Sequence, residues 1–243
     1  MTQINPHDTE QWKAELKSFA DDDRIKILSS FFKTGKGEYG EGDIFIGLYV
    51  PLNRKVSKRY FDLPLEQIEI LLTDKIHEFR LAALLALVEA YKKSKNDIHK
   101  KNSIIEFYLA HTANINNWDL VDLSAPYIIG NHILSTGDDS IALKLAASSS
   151  MWEQRMGIVS TMTPIRHGRF DTTFTIANQM LNHKDDLIHK ATGWMLREIG
   201  KKDLSALESY LQQKAHLMPR TMLRYAIERF SPEKRTYYLS MRK

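Results

Sequence analysis

Residues 76–93 read IHEFRLAALLALVEAYKK, and this stretch indicates the fold class of the whole chain. Arg80 precedes a run of small and aliphatic side chains that extends from Leu81 to Val88. The pattern predicts an unusually apolar α-helix over residues 76–93. A shorter helix is expected to open at Leu63 and Pro64 and to run through residue 72, because proline is favoured in the first turn of a helix.

Similar helix openings return along the chain at comparable distances. They lie near Asp122, Arg155, Lys190 and Arg220, at successive intervals of 42, 33, 35 and 30 residues counted from Arg80. Periods of about 30 to 45 residues are typical of stacked helix pairs of the HEAT or armadillo kind. The sequence therefore predicts an all-α fold, a superhelical solenoid of antiparallel helix pairs, as a single domain over residues 1–243. Four of the five opening positions are cationic, which makes the carboxylate of Asp122 a functional candidate.

The N-terminal part of the chain contains two expected helices and one irregular segment. Apolar spacing predicts helices over residues 11–20 and 22–33. Residues 35–47 then form a glycine-rich segment, with four glycines among its first nine residues. Glycine permits close backbone approach to a partner, but a flexible linker between helices explains the composition as well. The segment matches neither the P-loop nor the dinucleotide-binding fingerprint, so no nucleotide cradle is expected.

Composition excludes several classes of protein. The chain has 243 residues, 43% of them hydrophobic and 26% charged, which suits a soluble protein with a sizeable core. It has no cysteine, which rules out disulfides, a thiol nucleophile and cysteine-ligated zinc. No pair of its nine histidines has HExxH-type spacing, so neither a metal nor another cofactor is expected. Without a leader pattern or an apolar run of membrane length, we expect a cytoplasmic protein with no membrane partner.

Positive charge is concentrated in the C-terminal part of the chain. Residues 150–243 carry 16 Lys and Arg against 9 Asp and Glu, a net charge of +7. Residues 1–149 carry 18 against 21, a net charge of −3. The C-terminal part is therefore the candidate for binding a polyanion such as DNA, although charge alone does not separate a nucleic-acid-binding protein from other basic proteins.

The stretch from Asn116 to Asp122 combines a helix start with two chemically suggestive side chains. Asn116 and Asn117 supply N-cap chemistry, so Trp118 and Asp122 are expected at i and i+4 near the start of a helix, on one face. An indole beside a carboxylate suits a cationic ligand or a developing positive charge. From spacing alone, a core tryptophan with a salt-bridged aspartate explains the pattern as well.

Two further tryptophans stand three residues before an arginine. Trp152 precedes Arg155, and Trp194 precedes Arg197 one repeat later. Each indole is explained equally by core packing, and each guanidinium by an exposed charge or a salt bridge. Trp152, Arg155 and Trp194, together with Trp118 and Asp122, are candidates for lining the concave face of a superhelix, where solenoids usually bind.

Several motifs, in this order along the chain, resemble the DNA alkylation repair family, the HEAT-like repeat DNA glycosylases of the AlkD type. The resemblance covers residues from about 25 to 232, and its motifs are much more specific in combination than singly. Those that carry it are Phe31–Gly35, Gly40–Asp43, Phe45–Gly47, Val50–Pro51, His77–Arg80, Trp118–Asp122, Trp152–Arg155, Lys190–Glu198 and Pro219–Glu228.

This resemblance implies a monofunctional glycosylase that excises cationic N3- and N7-alkylated purines from duplex DNA without inserting the base into a pocket. Asp122, Trp118 and Trp194 match the catalytic-cleft residues of the family, and Arg155 matches a cleft arginine that contacts the DNA backbone. Further DNA contacts are expected from basic and aromatic residues of the C-terminal half, namely Trp152, Lys190, Arg197, Arg220 and Arg224.

Two departures from the family pattern stand out. The first 24 residues, including Trp12, match nothing in the family, and Asn117 stands where relatives often have an aromatic or small residue. A protein that keeps the scaffold but has lost excision would be a non-catalytic HEAT-like module that binds DNA or another protein. Either protein is expected to be a monomer, because a self-capped helical array needs no partner.

Overall fold

The computed structural model describes residues 7–241, and within this range the chain is helical and forms no β-strand. These residues divide into two compact units, the first ending at Ser124 and the second beginning at Ala125. The predicted all-α class is confirmed. The single domain expected over residues 1–243 stays a prediction. The helices of the first unit are α1 (His7–Lys17), α2 (Asp22–Phe31), α3 (Val50–Ser57), α4 (Leu65–Leu72), α5 (His77–Lys93), α6 (Ile98–Ala110) and α7 (Trp118–Asp122).

The second unit contains helices of seven residues or more together with one shorter helix. Short 3₁₀ turns follow α12 and α14 at Met180–Asn182 and Ala215–Leu217. The helices are α8 (Ala125–Thr136), α9 (Ser140–Ala146), α10 (Met151–Ser160), α11 (Met162–Arg166), α12 (Asp171–Gln179), α13 (Asp186–Lys202), α14 (Leu204–Lys214), α15 (Arg220–Ala226) and α16 (Pro232–Ser240).

Helix α5 forms the core of the first unit. Every residue from His77 to Leu87 is buried, and the helix packs against α3, α4, α6 and α7. The run from Leu81 to Leu87 is apolar on all sides, and such a run requires neighbours on all sides. The apolar helix predicted over residues 76–93 is therefore confirmed, with Ile76 as its N-cap residue.

Helix starts follow local side-chain chemistry in both units. The side chains of Asp97, Ser150 and Asp203 accept hydrogen bonds from backbone N–H groups in the first turn of α6, α10 and α14. Each bond satisfies a donor that has no partner within the helix. Pro64 and Pro219 stand at the N-caps of α4 and α15, where the absence of an N–H group costs nothing.

The predicted N-terminal helices exist but have different ends. The helix expected over residues 11–20 is α1, which begins earlier and ends at Lys17. The helix expected to reach Lys33 ends at Phe31, because Lys33 adopts a left-handed backbone conformation with φ of 56°. The carbonyl of Lys33 then accepts a hydrogen bond from the backbone N–H of Gly40, at 3.0 Å, which closes the glycine-rich segment into a loop.

The glycine-rich segment is held to its neighbours at its C-terminal end. Ile44 forms an isolated bridge with Ile76, directly before α5. Gly47 has a φ of 81°, and a Cβ atom on this residue would clash with the carbonyl oxygen of Asp21. The backbone therefore approaches the start of α2 more closely than any other residue type permits. Close approach of the four glycines at 35–43 to a partner stays a prediction, because the contact at Gly47 is made with this chain's own backbone.

Helix α13 occupies the centre of the second unit, where it packs against α10, α11, α14 and α15. The two helices α13 and α15 approach each other closely at Gly193, where a Cβ atom would clash with the carbonyl oxygen of Met222 and lie 2.6 Å from Cβ of Tyr225. Both of these neighbours are held by the backbone of α15, so neither is free to rotate away.

Gly193→Ala is therefore expected to destabilise the protein by about 1–3 kcal/mol, the usual cost of overpacking a core. Chemical denaturation monitored by circular dichroism measures this change. Gly168→Ala would not serve as a control, because φ at Gly168 is 77°, whereas Ser205→Ala changes an exposed position on α14 without adding volume. Equal stability of Gly193→Ala and Ser205→Ala would contradict the close approach of α13 to α15.

Candidate functional site

Helix α7 carries two of the predicted catalytic residues, Trp118 and Asp122. The side-chain oxygen of Asn117 accepts a hydrogen bond from the backbone N–H of Trp118, at 2.8 Å, and so caps the helix. Trp118 and Asp122 are the first and last residues of α7, at the expected i, i+4 spacing, and both are half-buried. A helix opening that leads into an apolar run was also expected near Asp122. Leu123 caps the C-terminus of α7, and the apolar run forms a separate helix, α8.

The indole of Trp118 belongs to an aromatic cluster in the first unit. Its ring stacks on Phe32 with centroids 5.0 Å apart and an interplanar angle of 16°. Phe31 contacts it edge-on at 5.6 Å, although the residue itself is 60% exposed. Phe32 also stacks on Phe45, at 5.1 Å. One face of the indole is thus fixed by protein, which orients the ring without burying it completely.

A buried histidine lies between two carboxylates next to this cluster. The Nδ1 atom of His77 lies 3.0 Å from Oδ2 of Asp43, and its Nε2 atom lies 2.9 Å from Oδ2 of Asp119. The side chains of all three are at most 6% exposed. Asp43 also accepts hydrogen bonds from Arg80 at 2.5 Å and from Asn117 at 3.2 Å. We call this group the His77 network: Asp43, His77, Arg80, Asn117 and Asp119.

The His77 network favours the charged form of its members. Burial alone would lower the pKa of His77, but the charges and hydrogen bonds of Asp119 and Asp43 outweigh burial and raise the pKa to about 9. The pKa of Asp43 is lowered although burial acts in the opposite direction, because His77 and Arg80 stabilise its carboxylate. At neutral pH, His77 is therefore a positively charged imidazolium, with a proton on each ring nitrogen.

Glu78, the next residue of α5, binds the backbone at the C-terminal end of the glycine-rich segment. Its carboxylate accepts hydrogen bonds from the backbone N–H groups of Ile46, Gly47 and Leu48, at 2.9 to 3.2 Å. Glu78 is 2% exposed, and burial raises its pKa. Two consecutive residues of α5 thus anchor residues 43–48: His77 binds Asp43, and Glu78 binds the backbone of residues 46–48.

Arg155, the predicted DNA-backbone contact, is a buried residue of α10. It is 5% exposed, and its guanidinium donates a hydrogen bond to the backbone carbonyl of Leu187, at 2.7 Å. This bond ties α10 to the first turn of α13. Trp152, one turn earlier, is half-buried. Direct contact of either residue with DNA stays a prediction.

Trp194, the third predicted catalytic residue, lies on α13 and is half-buried. Its indole N–H donates to the carboxylate of Glu198 at 3.1 Å, one turn later on the same helix. Glu198 also pairs with Lys201 at 2.6 Å. On the same helix, Lys190 pairs with Asp186 at 2.8 Å, so this lysine is partly neutralised.

The remaining predicted DNA contacts differ in their exposure. Arg197 pairs with Glu228, and its side chain is only 17% exposed. Arg220 and Arg224 on α15 are both exposed, and Arg220 donates a hydrogen bond to the backbone carbonyl of Leu239 at 2.6 Å. Of these three arginines, Arg224 and Arg220 present the more accessible charges.

The sequence interpretation did not assign a role to Asp43, His77 or Asp119. All three belong to motifs that were recognised, but each motif lies in a different part of the chain. Their spacing within each motif carries no sign that the side chains meet, since the contacts span 34 and 42 residues. The signal available in the sequence was that Gly42 and Asp43 stand directly before an apolar stretch.

The part of the chain that the structure describes contains neither a candidate membrane span nor a candidate metal cluster. Over residues 7–241, no helix is long and apolar enough to cross a membrane. Within the same range, no three or more His, Cys, Asp or Glu side chains are grouped so as to hold a metal ion. In the His77 network the two carboxylates face opposite nitrogens of one ring, and so they do not converge on a common point.

Comparison with known proteins gives consistent matches. A family model described as DNA alkylation repair enzyme matches residues 12–230. A solved structure described as a predicted DNA alkylation repair enzyme from Enterococcus faecalis superposes with a TM-score of 0.70, covering 88% of this chain and 97% of that chain. The two sequences are 16% identical, so this likeness shows the fold alone. No functionally curated protein matches the sequence.

Proposed function

Because the chain belongs to the DNA alkylation repair enzyme family, we propose that it is a monofunctional DNA glycosylase acting on alkylated duplex DNA. Membership of the family supports a role in the repair of alkylated DNA. The proposal adds the reaction, hydrolysis of the N-glycosidic bond of cationic N3- and N7-alkylated purines such as 3-methyladenine and 7-methylguanine, without insertion of the base into a pocket. The observation that carries it is the placement of Trp118 and Asp122, both half-buried, one helical turn apart on α7.

The chemistry of these substrates fits a site built from a carboxylate and an indole. Alkylation at N3 or N7 leaves the purine positively charged, so the base is already a good leaving group and needs little protonation. The cost of the reaction lies in the sugar, which acquires oxocarbenium character as the bond stretches. A fixed carboxylate stabilises that charge and orients the attacking water. We assign this role to Asp122.

Trp118 is proposed to pack against the deoxyribose. The face of an indole carries negative potential, which favours a developing cation placed over it. Because Phe32 and Phe31 hold the ring on two sides, its orientation is set before DNA binds. Preorganisation of this kind lowers the entropic cost of reaching the reactive arrangement.

In the second unit, Trp194 is proposed as a further catalytic aromatic residue, and basic residues as DNA contacts. Trp194 is held by Glu198, which fixes the ring but leaves it half-buried. The proposed DNA contacts are Arg155, Trp152, Lys190, Arg197, Arg220 and Arg224. Arg224 is the best supported of these proposed DNA contacts, because its side chain is exposed on α15.

Removal of the Arg224 charge is expected to weaken binding to every duplex sequence by a similar factor. A side chain that neutralises one phosphate releases about one counterion, so the slope of log K against log salt concentration should fall by about 0.9 in Arg224→Ala. Fluorescence anisotropy with labelled duplex DNA at several salt concentrations measures the slope. Arg166→Ala removes an exposed charge of the same unit for which no DNA contact is proposed. A loss of slope in Arg166→Ala as large as in Arg224→Ala would contradict a specific role for Arg224.

The proposed function is tested by release of free base from methylated duplex DNA. We expect the protein to release 7-methylguanine and 3-methyladenine, detected by chromatography, without cleaving the strand at the abasic site. A folded protein that binds duplex DNA in low salt but releases no base would instead be the non-catalytic DNA-binding module. A protein with no salt-dependent affinity for DNA would be an interaction scaffold.

A further inference from the structure

The ring of His77 joins segments of the first unit that are distant in sequence. His77 is the first residue of α5, Asp43 lies at the end of the glycine-rich loop, and Asp119 is the second residue of α7. The side chain of His77 is 2% exposed, so water has almost no access to its two nitrogens. The two carboxylates are therefore the hydrogen-bond partners of its ring nitrogens.

The geometry requires His77 to donate from both nitrogens. Carboxylates are acceptors, and a neutral imidazole carries only one N–H group. If His77 were neutral, one ring nitrogen would present a lone pair to a carboxylate oxygen 2.9 or 3.0 Å away, in a place almost closed to water. While both partners are carboxylates, both hydrogen bonds exist together only in the imidazolium form.

The other groups that face His77 are compatible with this charge. Arg80 on α5 neutralises part of the charge of Asp43. Glu78 contributes a third buried carboxylate next to His77, directed at backbone amides. The rings of Phe45 and Phe32 contact the imidazole at centroid distances of 4.6 and 5.0 Å. Aromatic faces attract a cation, so the rings favour the imidazolium as well.

The network reaches the candidate site through α7. Asn117 caps α7 with its oxygen and donates to Asp43 with its nitrogen. Asp119 bonds to His77, so the residues on both sides of Trp118 are tied to the network. Helix α7 has only five residues, and a helix this short is not stable by itself. Its orientation therefore depends on such contacts and on its buried Leu120 and Val121.

We propose that His77 is a positioning residue of the site: as an imidazolium between Asp43 and Asp119, it holds α7 in the orientation that presents Trp118 and Asp122 to DNA. The inference rests on the proposed function, because the orientation matters for base excision. His77 touches neither DNA nor the reacting atoms. It acts through α7.

Loss of the proton removes one of the two bonds. The pKa of His77 is about 9 in the folded protein, above the ordinary value of 6.5. A group whose pKa is raised by folding stabilises the protein fully below its unfolded pKa and loses that contribution as the pH rises through its folded pKa. The anchoring of α7 should therefore be complete near pH 6.5 and weaken through pH 9.

The test follows His77 and Trp118 separately by NMR in the full-length protein. The ring signals of His77, assigned by their loss in His77→Gln, report its protonation. The indole N–H signal of Trp118, assigned by its loss in Trp118→Phe, reports the surroundings of that ring. We expect both signals to titrate with one midpoint near pH 9, as the pKa of His77 requires.

His77→Gln should shift the Trp118 signal towards its high-pH position and abolish the titration. His99→Gln, which changes an exposed histidine on α6, should leave both titrations unchanged. If His77→Gln does not fold, Asp119→Asn keeps the ring and one carboxylate, and it should lower the common midpoint. A Trp118 signal that ignores the titration of His77, in the parent protein or in Asp119→Asn, would overturn the proposal.

The rate of base release provides the second readout. Relative to spontaneous loss of the same base, the single-turnover rate should fall as the pH rises through 9 in the parent protein. In folded His77→Gln it should be low at every pH, by a factor on the order of 10², since small misplacements of catalytic groups have effects of that size. An unchanged rate in folded His77→Gln would overturn the positioning role. If the parent protein released no base, the proposed function would fail, and the coupling of the two NMR signals would still decide whether His77 positions α7.

Discussion

Asp122→Asn is expected to lower the rate of base release by a factor on the order of 10² to 10³, the usual cost of removing one well-aimed electrostatic group. Asparagine keeps the size and shape of aspartate, and Asp122 is half-buried at the last position of α7, so the helix should remain in place. The loss should appear in the single-turnover rate constant for release of 7-methylguanine and 3-methyladenine. DNA affinity should stay the same or rise, since a negative charge facing phosphates has been removed.

Asp62→Asn provides a matched control for this substitution. It removes one carboxylate charge from an exposed position of the first unit, outside α7 and the His77 network. Both variants should give the circular dichroism spectrum of the parent protein, and Asp62→Asn should also keep its rate. Full activity in Asp122→Asn would show that this carboxylate takes no part in the reaction. It would favour a protein that only binds the alkylated base, which is then lost spontaneously.

Glu78→Ala is expected to lower the free energy of unfolding by about 3 kcal/mol or more. The substitution leaves the backbone N–H groups of Ile46, Gly47 and Leu48 without their acceptor, and Gly47 and Leu48 are buried. Each buried donor without a partner costs about 1–3 kcal/mol. The effect should appear as a lower urea midpoint, with an unchanged dependence of the free energy on denaturant concentration.

Two variants separate the lost acceptor from a general effect of removing a glutamate. Glu78→Gln keeps one carbonyl oxygen in the same place, and it should be less destabilising than Glu78→Ala. Glu66→Ala removes an exposed glutamate from α4 and should change the stability by less than about 0.5 kcal/mol. A midpoint for Glu78→Ala equal to that of Glu66→Ala would show that the backbone of residues 46–48 does not depend on Glu78.

The predictions for Glu78→Ala and Asp122→Asn concern two parts of one set of contacts in the first unit. Glu78 and His77 are adjacent on α5, but Glu78 holds the loop that brings Asp43 into place, whereas His77 connects Asp43 to α7. Loss of Glu78 should therefore be seen mainly as reduced stability. Loss of the Asp122 carboxylate should be seen mainly as reduced rate.

Several features of the candidate site follow from patterns that are local in sequence. The spacing of Trp118 and Asp122 and the capping role of Asn117 depend on residues within one helical turn, and both were predicted correctly. Asn116 was also proposed as a cap, but its side-chain oxygen is buried without a hydrogen-bond partner. Two neighbouring asparagines offer the same chemistry, and only the path of the backbone selects between them.

The arginines at the helix openings show that a local sequence pattern does not predict which charged side chains are exposed. Arg80 and Arg155 hold similar places near the starts of α5 and α10, and both are buried and bonded to backbone carbonyls. Arg220, at the start of α15, is exposed. Sequence assigns these arginines the same character, because it contains no information about which helix end lies against which carbonyl.

The amino-acid pattern is enough to specify an all-α chain, the apolar helix α5 and the spacing of Trp118 and Asp122 by one turn of α7, because helix periodicity and capping act over a few residues. The proton on His77 and the accessibility of each arginine depend instead on tertiary contacts. The two carboxylates that charge His77 are separated from it by 34 and 42 residues. Burial and the fields of such distant groups set a pKa, and both arise only when the chain has folded.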